Sequence, residues 1–244
     1  MRYLLTVSYD GTNYGGWQRQ KNTITVQERM EDALNAVFHQ NIKTEAASRT
    51  DAGVHALGQR VCFSLADCKI PIYKIPLVLN GYLPDDITVT AAEPVDDCFS
   101  PRFQALEKIY QYNIWHDKYP NPLIRHNSVF FPYYLDIVSM KQAAKAFEGK
   151  HDFAAFRAAG SSALTTVREI YECGVLENGS MITIKVRGSG FLYNMVRIIA
   201  GTIIEAGQGK TPAEAIPEII RSRDRTRAGR TMPPHGLTLI EIKY

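Results

Sequence analysis

The chain has 244 residues, of which 45% are hydrophobic, 10% aromatic and 22% charged, with 28 Lys and Arg against 25 Asp and Glu. This composition is typical of a globular protein and excludes disordered and fibrous classes. At roughly 150 residues per domain, the length allows one large domain or two closely packed halves. No apolar run approaches the roughly 18 residues of a membrane helix, and the N-terminus does not resemble a signal peptide. We therefore expect a cytoplasmic protein.

The predicted elements of the first half follow the order β-α-β-β-α-β, a split βαβ unit. Alternation of apolar residues indicates the strands, and a 3.6-residue period indicates the helices. In chain order they are a strand over Arg2–Tyr9, a helix over Val26–Phe38, strands over Ile42–Ser48 and Gln59–Leu65 separated by the loop Arg49–Leu57, a short helix over about Ile72–Tyr82 and a strand over Ile87–Thr90.

The second half repeats this order of elements without repeating the sequence. The elements are a strand over Lys108–Trp115, a helix over Met140–Phe147, a hairpin of Val167–Val175 and Met181–Val186, a helical stripe from Phe191 to Ala206, a helix over about Pro212–Arg221 and a strand over Leu237–Ile242.

These elements predict an α+β fold of two tandem ferredoxin-like halves, residues 1–104 and 105–244. We expect the halves to join into one mixed, mostly antiparallel sheet of about eight strands with helices on one face. A ligand would then bind in the cleft at the seam between the halves.

The loop from Ala47 to Ala56 carries a cation, hydroxyls, a carboxylate, a glycine and an imidazole. Loops on a rigid sheet often hold catalytic groups. The more common role of Asp-x-Gly is a turn, in which Asp51 accepts hydrogen bonds from its own loop and Gly53 supplies a positive φ. Half of an aspartic protease site is excluded, because Ala52 stands where Ser or Thr is needed. A metal site built on Asp51 and His55 lacks a third ligand, and neither the cysteines nor the histidines show metal-binding spacing.

Two further segments carry candidate functional groups. Lys108, Tyr110 and Tyr112 share one face of a strand, where aromatic rings beside a cation either stack on bases or pack as ordinary half-buried tyrosines. Arg197 lies beside an apolar helical stripe, either as a solvated flank or as a clamp for a carboxylate.

Positive charge is concentrated near the C-terminus, in a segment that contains five arginines and a single acidic residue, Asp224. These arginines, with four basic residues of the first half, predict a basic surface within a net charge of only +3. The surface favours RNA over a small metabolite as partner. The residues concerned are Arg221, Arg223, Arg225, Arg227 and Arg230 in the C-terminal run, and Arg19, Lys21, Arg49 and Arg60 in the first half.

Motifs along nearly the whole chain resemble the tRNA pseudouridine synthase A family. The most specific is Ser-Arg-Thr-Asp-Ala-Gly-Val-His over Ser48–His55. The others are Tyr9-Asp10-Gly11-Thr12, Gly16-Trp17-Gln18-Arg19-Gln20, Gly58-Gln59, Phe103 with Ala105, Lys108 with Tyr110 and Tyr112, Phe156-Arg157, Thr166-Val167-Arg168, Gly190-Phe191, Asn194-Met195-Val196-Arg197, Asp224-Arg225, Ala228-Gly229 and Pro233-Pro234-His235-Gly236-Leu237.

The resemblance implies a pseudouridine synthase fold and an isomerase that needs no cofactor and no metal. Its substrate would be uridine in the anticodon arm of tRNA, at positions 38, 39 and/or 40 of the anticodon loop and stem. It also implies a homodimer in which one tRNA touches both subunits.

The same resemblance implies roles for individual residues. Asp51 corresponds to the catalytic aspartate, a nucleophile, and Arg197 to the arginine that pairs with it. Tyr110 corresponds to the base-stacking tyrosine and Arg49 to an arginine that helps to extrude the base, and Lys108 is expected to bind substrate beside them. Further RNA contacts are expected from Arg19, Gln18 and Arg225.

Two other functions remain open from the sequence. One is a non-catalytic protein that binds tRNA or assists its folding on the same scaffold. The other is an enzyme that acts on a small molecule in the cleft between the halves.

Overall fold

The computed structural model describes residues 1–160 and 163–244. By compactness the chain divides into two units, which are Met1–Leu106 with Leu239–Tyr244 (unit 1) and Glu107–Thr238 (unit 2). No helix in the described part of the chain is long and apolar enough to cross a membrane.

Unit 1 is built around strands in the order β4-β1-β3-β10, in which β1 pairs antiparallel with both β4 and β3. Buried apolar side chains such as Leu5, Val7 and Val61 form its core. Its elements are β1 (Arg2–Tyr9), α1 (Val26–Phe38), β2 (Glu45–Ala46), β3 (His55–Ser64), α2 (Ile75–Asn80), β4 (Ile87–Val95) and, from Leu239 onwards, β10 (Leu237–Lys243).

Strand β1 and helix α1 have the predicted bounds, because both carry strong periodic patterns. Helix α1 begins after Thr25, whose side chain accepts a hydrogen bond from the backbone N–H of Glu28. It ends at His39, which has a φ of 53°. The apolar face that this helix buries includes Val26, Met30 and Leu34.

The predicted strand Ile42–Ser48 is wrong in extent, since only Glu45–Ala46 pairs as β2. Side chains of α1 accept hydrogen bonds from backbone N–H groups in this segment, which a longer strand would have used for pairing. The N–H of Ile42 donates to Asn35 Oδ1 at 2.6 Å, and the N–H of Thr44 donates to Glu31 Oε1 at 3.1 Å. Polar side chains of a neighbouring helix have here replaced a strand ladder.

Two other boundaries in unit 1 differ from the prediction. Strand β3 begins at His55 rather than Gln59, because Ala56 pairs with Tyr9 at the end of β1. The predicted helix Ile72–Tyr82 divides into a 3-10 turn over Ile72–Lys74 and α2, which starts beside Pro76. Proline lacks the N–H that a first helical turn leaves unused, so a helix readily starts there.

Unit 2 is built around strands that pair antiparallel in the order β5-β9-β8-β7. Helix α3 packs on β8 and α4 on β5, and alternate residues of β9 are buried. Its elements are β5 (Glu107–Trp115), β6 (Val129–Phe130), α3 (Ile137–Lys145), β7 (Gly149–Asp152), β8 (Val167–Asn178), β9 (Met181–Gly188), α4 (Met195–Gly207) and α5 (Ile216–Ser222).

The predicted hairpin is confirmed around a turn in which Gly179 has a φ of 57°. Its first strand extends to Asn178 and its second to Gly188. Strands β6 and β7 lack an apolar alternation and were not predicted. Helix α4 begins at Met195 rather than Phe191, because Asn194 takes a φ of 60° at its N-cap. All strand pairs described within the units are antiparallel except β5 with β6. The predicted α+β class with a large, mostly antiparallel sheet is confirmed.

Candidate functional site

The loop between β2 and β3 carries Arg49 and Asp51, and its backbone is fixed by hydrogen bonds. The N–H of Val54 donates to the carbonyl oxygen of Asp51 at 3.1 Å, which closes a tight turn. Gly53 has a φ of 76°, so the predicted positive φ is confirmed. The closing bond uses the backbone of Asp51 and not its carboxylate. The side chain of Asp51 is half-buried and that of Arg49 is exposed.

The segment Gly16–Trp17 lies directly against this loop. The N–H of Trp17 donates to the carbonyl oxygen of Thr50 at 3.1 Å. Gly16 has a φ of 96°, and a Cβ placed on it would lie 2.5 Å from that same oxygen. Because a contact of that length is a steric overlap, this position requires glycine. The bond between Gly16 O and the N–H of Val26 ties the segment to the start of α1.

Buried polar side chains support the loop from β1 and β3. The Gln59 side chain donates from Nε2 to the carbonyl oxygen of Ser48 at 2.7 Å, and its Oε1 accepts from the N–H of Ser48 at 3.2 Å. The hydroxyls of Tyr9 and Thr50 are 2.7 Å apart and share a hydrogen bond. Gln59 is fully buried, and Tyr9 and Thr50 are 4% and 7% exposed. These residues therefore hold the two neighbours of Arg49.

His55 begins β3 and is anchored to the end of β1. Its Nδ1 accepts from the N–H of Gly11 at 3.0 Å, and Asp10 Oδ1 lies 3.0 Å from the same nitrogen. The ring is 6% exposed. Among the described residues, no group of three or more His, Cys, Asp or Glu side chains is arranged to hold a metal ion.

In unit 2, Tyr110 lies on β5 opposite Val186. Its ring meets Phe191 edge-to-face with centroids 5.3 Å apart, and only 6% of the residue is exposed. Lys108 on the same strand is half-buried. Tyr112 is fully buried and donates its hydroxyl to the carbonyl oxygen of Pro233 at 2.8 Å. Burial raises the pKa of Tyr112, which therefore remains a neutral donor.

Arg197 lies in the first turn of α4 and has a fixed guanidinium. Its Nε donates to the carbonyl oxygen of Met232 at 2.7 Å, and its Nη1 donates to Asn194 Oδ1 at 2.6 Å. The N–H of Met232 donates in return to the carbonyl oxygen of Arg197 at 3.3 Å. These bonds orient the planar group, as recognition of a carboxylate requires.

The residues expected to contact RNA also make contacts within their own units. Arg19 donates to Glu31 at 3.1 Å and to Glu28 at 3.2 Å, and Gln18 donates to Gln27 at 2.7 Å, so both lie against α1. In the C-terminal run, Arg225 donates to the carbonyl oxygen of Ala228 and to the hydroxyl of Thr231, both at 3.1 Å. Arg223 pairs with Asp152 and Arg227 with Glu218, both at 2.9 Å. These two arginines are exposed, as are Arg221 and Arg230.

The sequence placed Arg49 and Asp51 on one loop and Lys108 and Tyr110 on one strand, as the structure has them. It did not identify the support that Tyr9, Thr50 and Gln59 give to the loop. The available signal was Gln59 itself, a large polar residue at the start of an apolar strand.

Comparison with known proteins identifies the family. Residues 5–104 and 143–244 match the family described as tRNA pseudouridine synthase. The tRNA pseudouridine synthase A of Acetivibrio thermocellus is 46% identical over 240 residues, 98% of each chain. That of Pseudothermotoga lettingae is 44% identical over 246 residues, 100% of this chain and 99% of the relative.

Among solved structures, a crystal structure of a Cbf5-Nop10-Gar1 complex aligns with 97% of this chain and 57% of that chain. Its TM-score of 0.37 and identity of 13% are too low to define the fold. The family match and the full-length relatives do not depend on it. They confirm the predicted family, and this chain belongs to the tRNA pseudouridine synthases.

Proposed function

We propose that this protein isomerises uridine to pseudouridine in tRNA, at positions 38, 39 and/or 40 of the anticodon loop and stem, with Asp51 as the nucleophile. The observation that carries the proposal is the position of Asp51. It is half-buried in a turn closed by its own backbone carbonyl, on a loop anchored to three other parts of unit 1. A carboxylate held in this way meets the geometric demand of covalent catalysis.

The chemistry needs a single carboxylate and no cofactor. The bond between N1 of uracil and C1′ of ribose breaks, the base turns, and a new bond joins C5 to C1′. The proton on C5 is released, and N1 gains a proton. One fragment must be held while the other turns, and Asp51 does this by attacking the sugar, by attacking the base or by assisting glycal formation.

Arg197 would keep the Asp51 carboxylate ionised by pairing with it, since a nearby guanidinium favours the charged form. The proposal is supported by the two hydrogen bonds that fix the guanidinium of Arg197 within unit 2. A fixed cation loses little conformational freedom when it meets a carboxylate.

Arg49, Tyr110 and Lys108 would bind the extruded nucleotide. Flipping a base out of an RNA stem costs a few kcal/mol, which an inserted Arg49 and stacking on Tyr110 would offset. Exposure of Arg49 supports its part in this step. Tyr110 is 6% exposed, so stacking requires that a covered face of its ring be uncovered.

Nucleoside analysis of an unmodified tRNA transcript before and after incubation tests the reaction. We expect one to three uridines to be converted, and none in a transcript that lacks uridine at positions 38, 39 and 40. Binding without a change in nucleoside composition would favour a non-catalytic tRNA-binding protein. Failure to bind tRNA at low salt would favour an enzyme that acts on a small molecule.

We also propose that the protein is a homodimer in which one tRNA contacts both subunits. Exposed apolar side chains between β5 and α3 support this proposal, since exposed apolar groups often mark interaction surfaces. Leu123, Tyr133 and Tyr134 are 91%, 66% and 79% exposed. Light scattering should give about twice the chain mass of 27.4 kDa. A mass equal to that of one chain would contradict the proposal.

A further inference from the structure

Exposure to solvent differs from residue to residue along the loop that carries Arg49 and Asp51. Arg49 is exposed and Asp51 half-buried, whereas Thr50 between them is 7% exposed. The two residues with expected roles in the reaction thus alternate with two residues, Ser48 and Thr50, that are bonded to the interior of unit 1.

Ser48 is held by one amide side chain at both of its backbone groups. Gln59 donates to its carbonyl oxygen at 2.7 Å and accepts from its N–H at 3.2 Å. Strand β2 ends at Ala46, so Ser48 lies beyond it. The two bonds from Gln59 satisfy the backbone N–H and carbonyl groups that strand pairing would otherwise satisfy at Ser48. Because Gln59 lies on β3 and is fully buried, its position is set by the sheet.

Thr50 is held by Tyr9 and Trp17. The hydroxyls of Tyr9 and Thr50 are 2.7 Å apart, and the N–H of Trp17 reaches the carbonyl oxygen of Thr50 at 3.1 Å. Gln59 Nε2 also lies 3.5 Å from the Tyr9 hydroxyl, so the two supports are joined.

We propose that Gln59, Tyr9 and Thr50 are positioning residues, which fix the backbone on both sides of Arg49 and immediately before Asp51. The proposal rests on the proposed role of Asp51 in the reaction. A buried polar network costs free energy unless every member is bonded, and an apolar core would give stability more simply. The network instead gives the loop one conformation, and a displacement of about 1 Å at a reacting group can cost about 100-fold in rate.

The test uses substitutions that remove one hydroxyl and leave the side-chain shape nearly unchanged. Tyr9→Phe and Thr50→Val each delete one partner of the same hydrogen bond, and Thr50→Ser keeps it. Tyr3→Phe is the matched control, because Tyr3 lies near the start of the same strand, is 3% exposed and donates its hydroxyl to a weak acceptor, Met1 Sδ, at 3.4 Å. The readouts are the single-turnover rate of tritium release from tRNA labelled at C5 of uridine and the Kd for that tRNA.

We expect Tyr9→Phe and Thr50→Val each to lower the saturating rate by about 10- to 100-fold with Kd unchanged within about twofold. The double variant should be no slower than the slower single variant, because both remove the same bond. Thr50→Ser and Tyr3→Phe should react within about twofold of the wild type. A normal rate in Tyr9→Phe and Thr50→Val, or multiplicative losses in the double variant, would overturn the proposal.

Asp51→Ala, measured alongside, separates this proposal from the proposed function. If Asp51→Ala is inactive and the hydroxyl deletions react normally, only the positioning role fails. If Asp51→Ala reacts normally, the proposed function of Asp51 fails, and the positioning role that rests on it fails as well.

Discussion

Thr202, in the middle of α4, connects this helix to Gly229, which lies within the C-terminal run of arginines. It is fully buried, and its hydroxyl accepts from the N–H of Gly229 at 2.9 Å and donates to the carbonyl oxygen of Ile198 at 3.0 Å. The contact is close, since a Cβ on Gly229 would lie 2.5 Å from the backbone nitrogen of Thr202. Three residues further on, Met232 accepts the hydrogen bond that orients Arg197.

Thr202→Val replaces the hydroxyl by a methyl group of similar size. The Ile198 carbonyl keeps its helical partner, but the buried N–H of Gly229 loses its acceptor. An unsatisfied buried donor costs about 1–3 kcal/mol. For a chain of this size each kcal/mol lowers Tm by about 2–4 °C, so the expected decrease is about 2–12 °C.

Thermal unfolding followed by circular dichroism measures this decrease. The control is Thr183→Val on β9, because the Thr183 hydroxyl bonds Asn113 at 3.1 Å and both side chains are only half-buried. Water can replace that hydroxyl, so the control should keep its Tm within about 1–2 °C. A Thr202→Val variant with the Tm of the control would refute the reasoning.

Three further predictions follow from individual contacts. Arg197→Lys should lower the single-turnover rate by about 10-fold or more in the tritium-release assay, because lysine cannot make both hydrogen bonds of the guanidinium, and a normal rate would contradict the proposed role. The hydrogen bond from Ser139 lowers the pKa of Asp136, the N-cap of α3, so its stabilisation is present above the ordinary pKa of about 3.9 and is lost as the pH falls through the lowered value. The Tm difference between wild type and Asp136→Ala should therefore shrink as the pH falls towards 3, and a constant difference would contradict this. Iodoacetamide at pH 8 should label exposed Cys98 well before Cys62, whose pKa burial raises to about 11, and equal labelling rates by mass spectrometry would contradict the buried placement.

The parts of the fold that the sequence predicted are those with a strong local period. Strand β1 and helix α1 were placed to the residue, because alternation and a helical face are properties of consecutive residues. The strand expected over Ile42–Ser48 failed because Asn35 and Glu31, which lie on a helix, bind its backbone donors. Such competition depends on tertiary packing and leaves no local pattern.

The same distinction applies to the candidate site. The turn at Asp51 and the positive φ of Gly53 follow from local Asp-x-Gly chemistry. The bond between Tyr9 and Thr50 joins residues 41 positions apart, and no spacing rule predicts it. The roles expected for the site residues came from the family resemblance of motifs along the chain rather than from periodicity.

The most direct test of the account is tritium release from tRNA labelled at C5 of uridine, with wild type and Asp51→Ala compared at equal tRNA binding. Release of the C5 label reports the new bond between carbon atoms, which simple binding cannot produce. We predict that the purified wild type releases label without added metal or cofactor and that Asp51→Ala releases none above background. Release by Asp51→Ala at the wild-type rate would contradict the central role of Asp51.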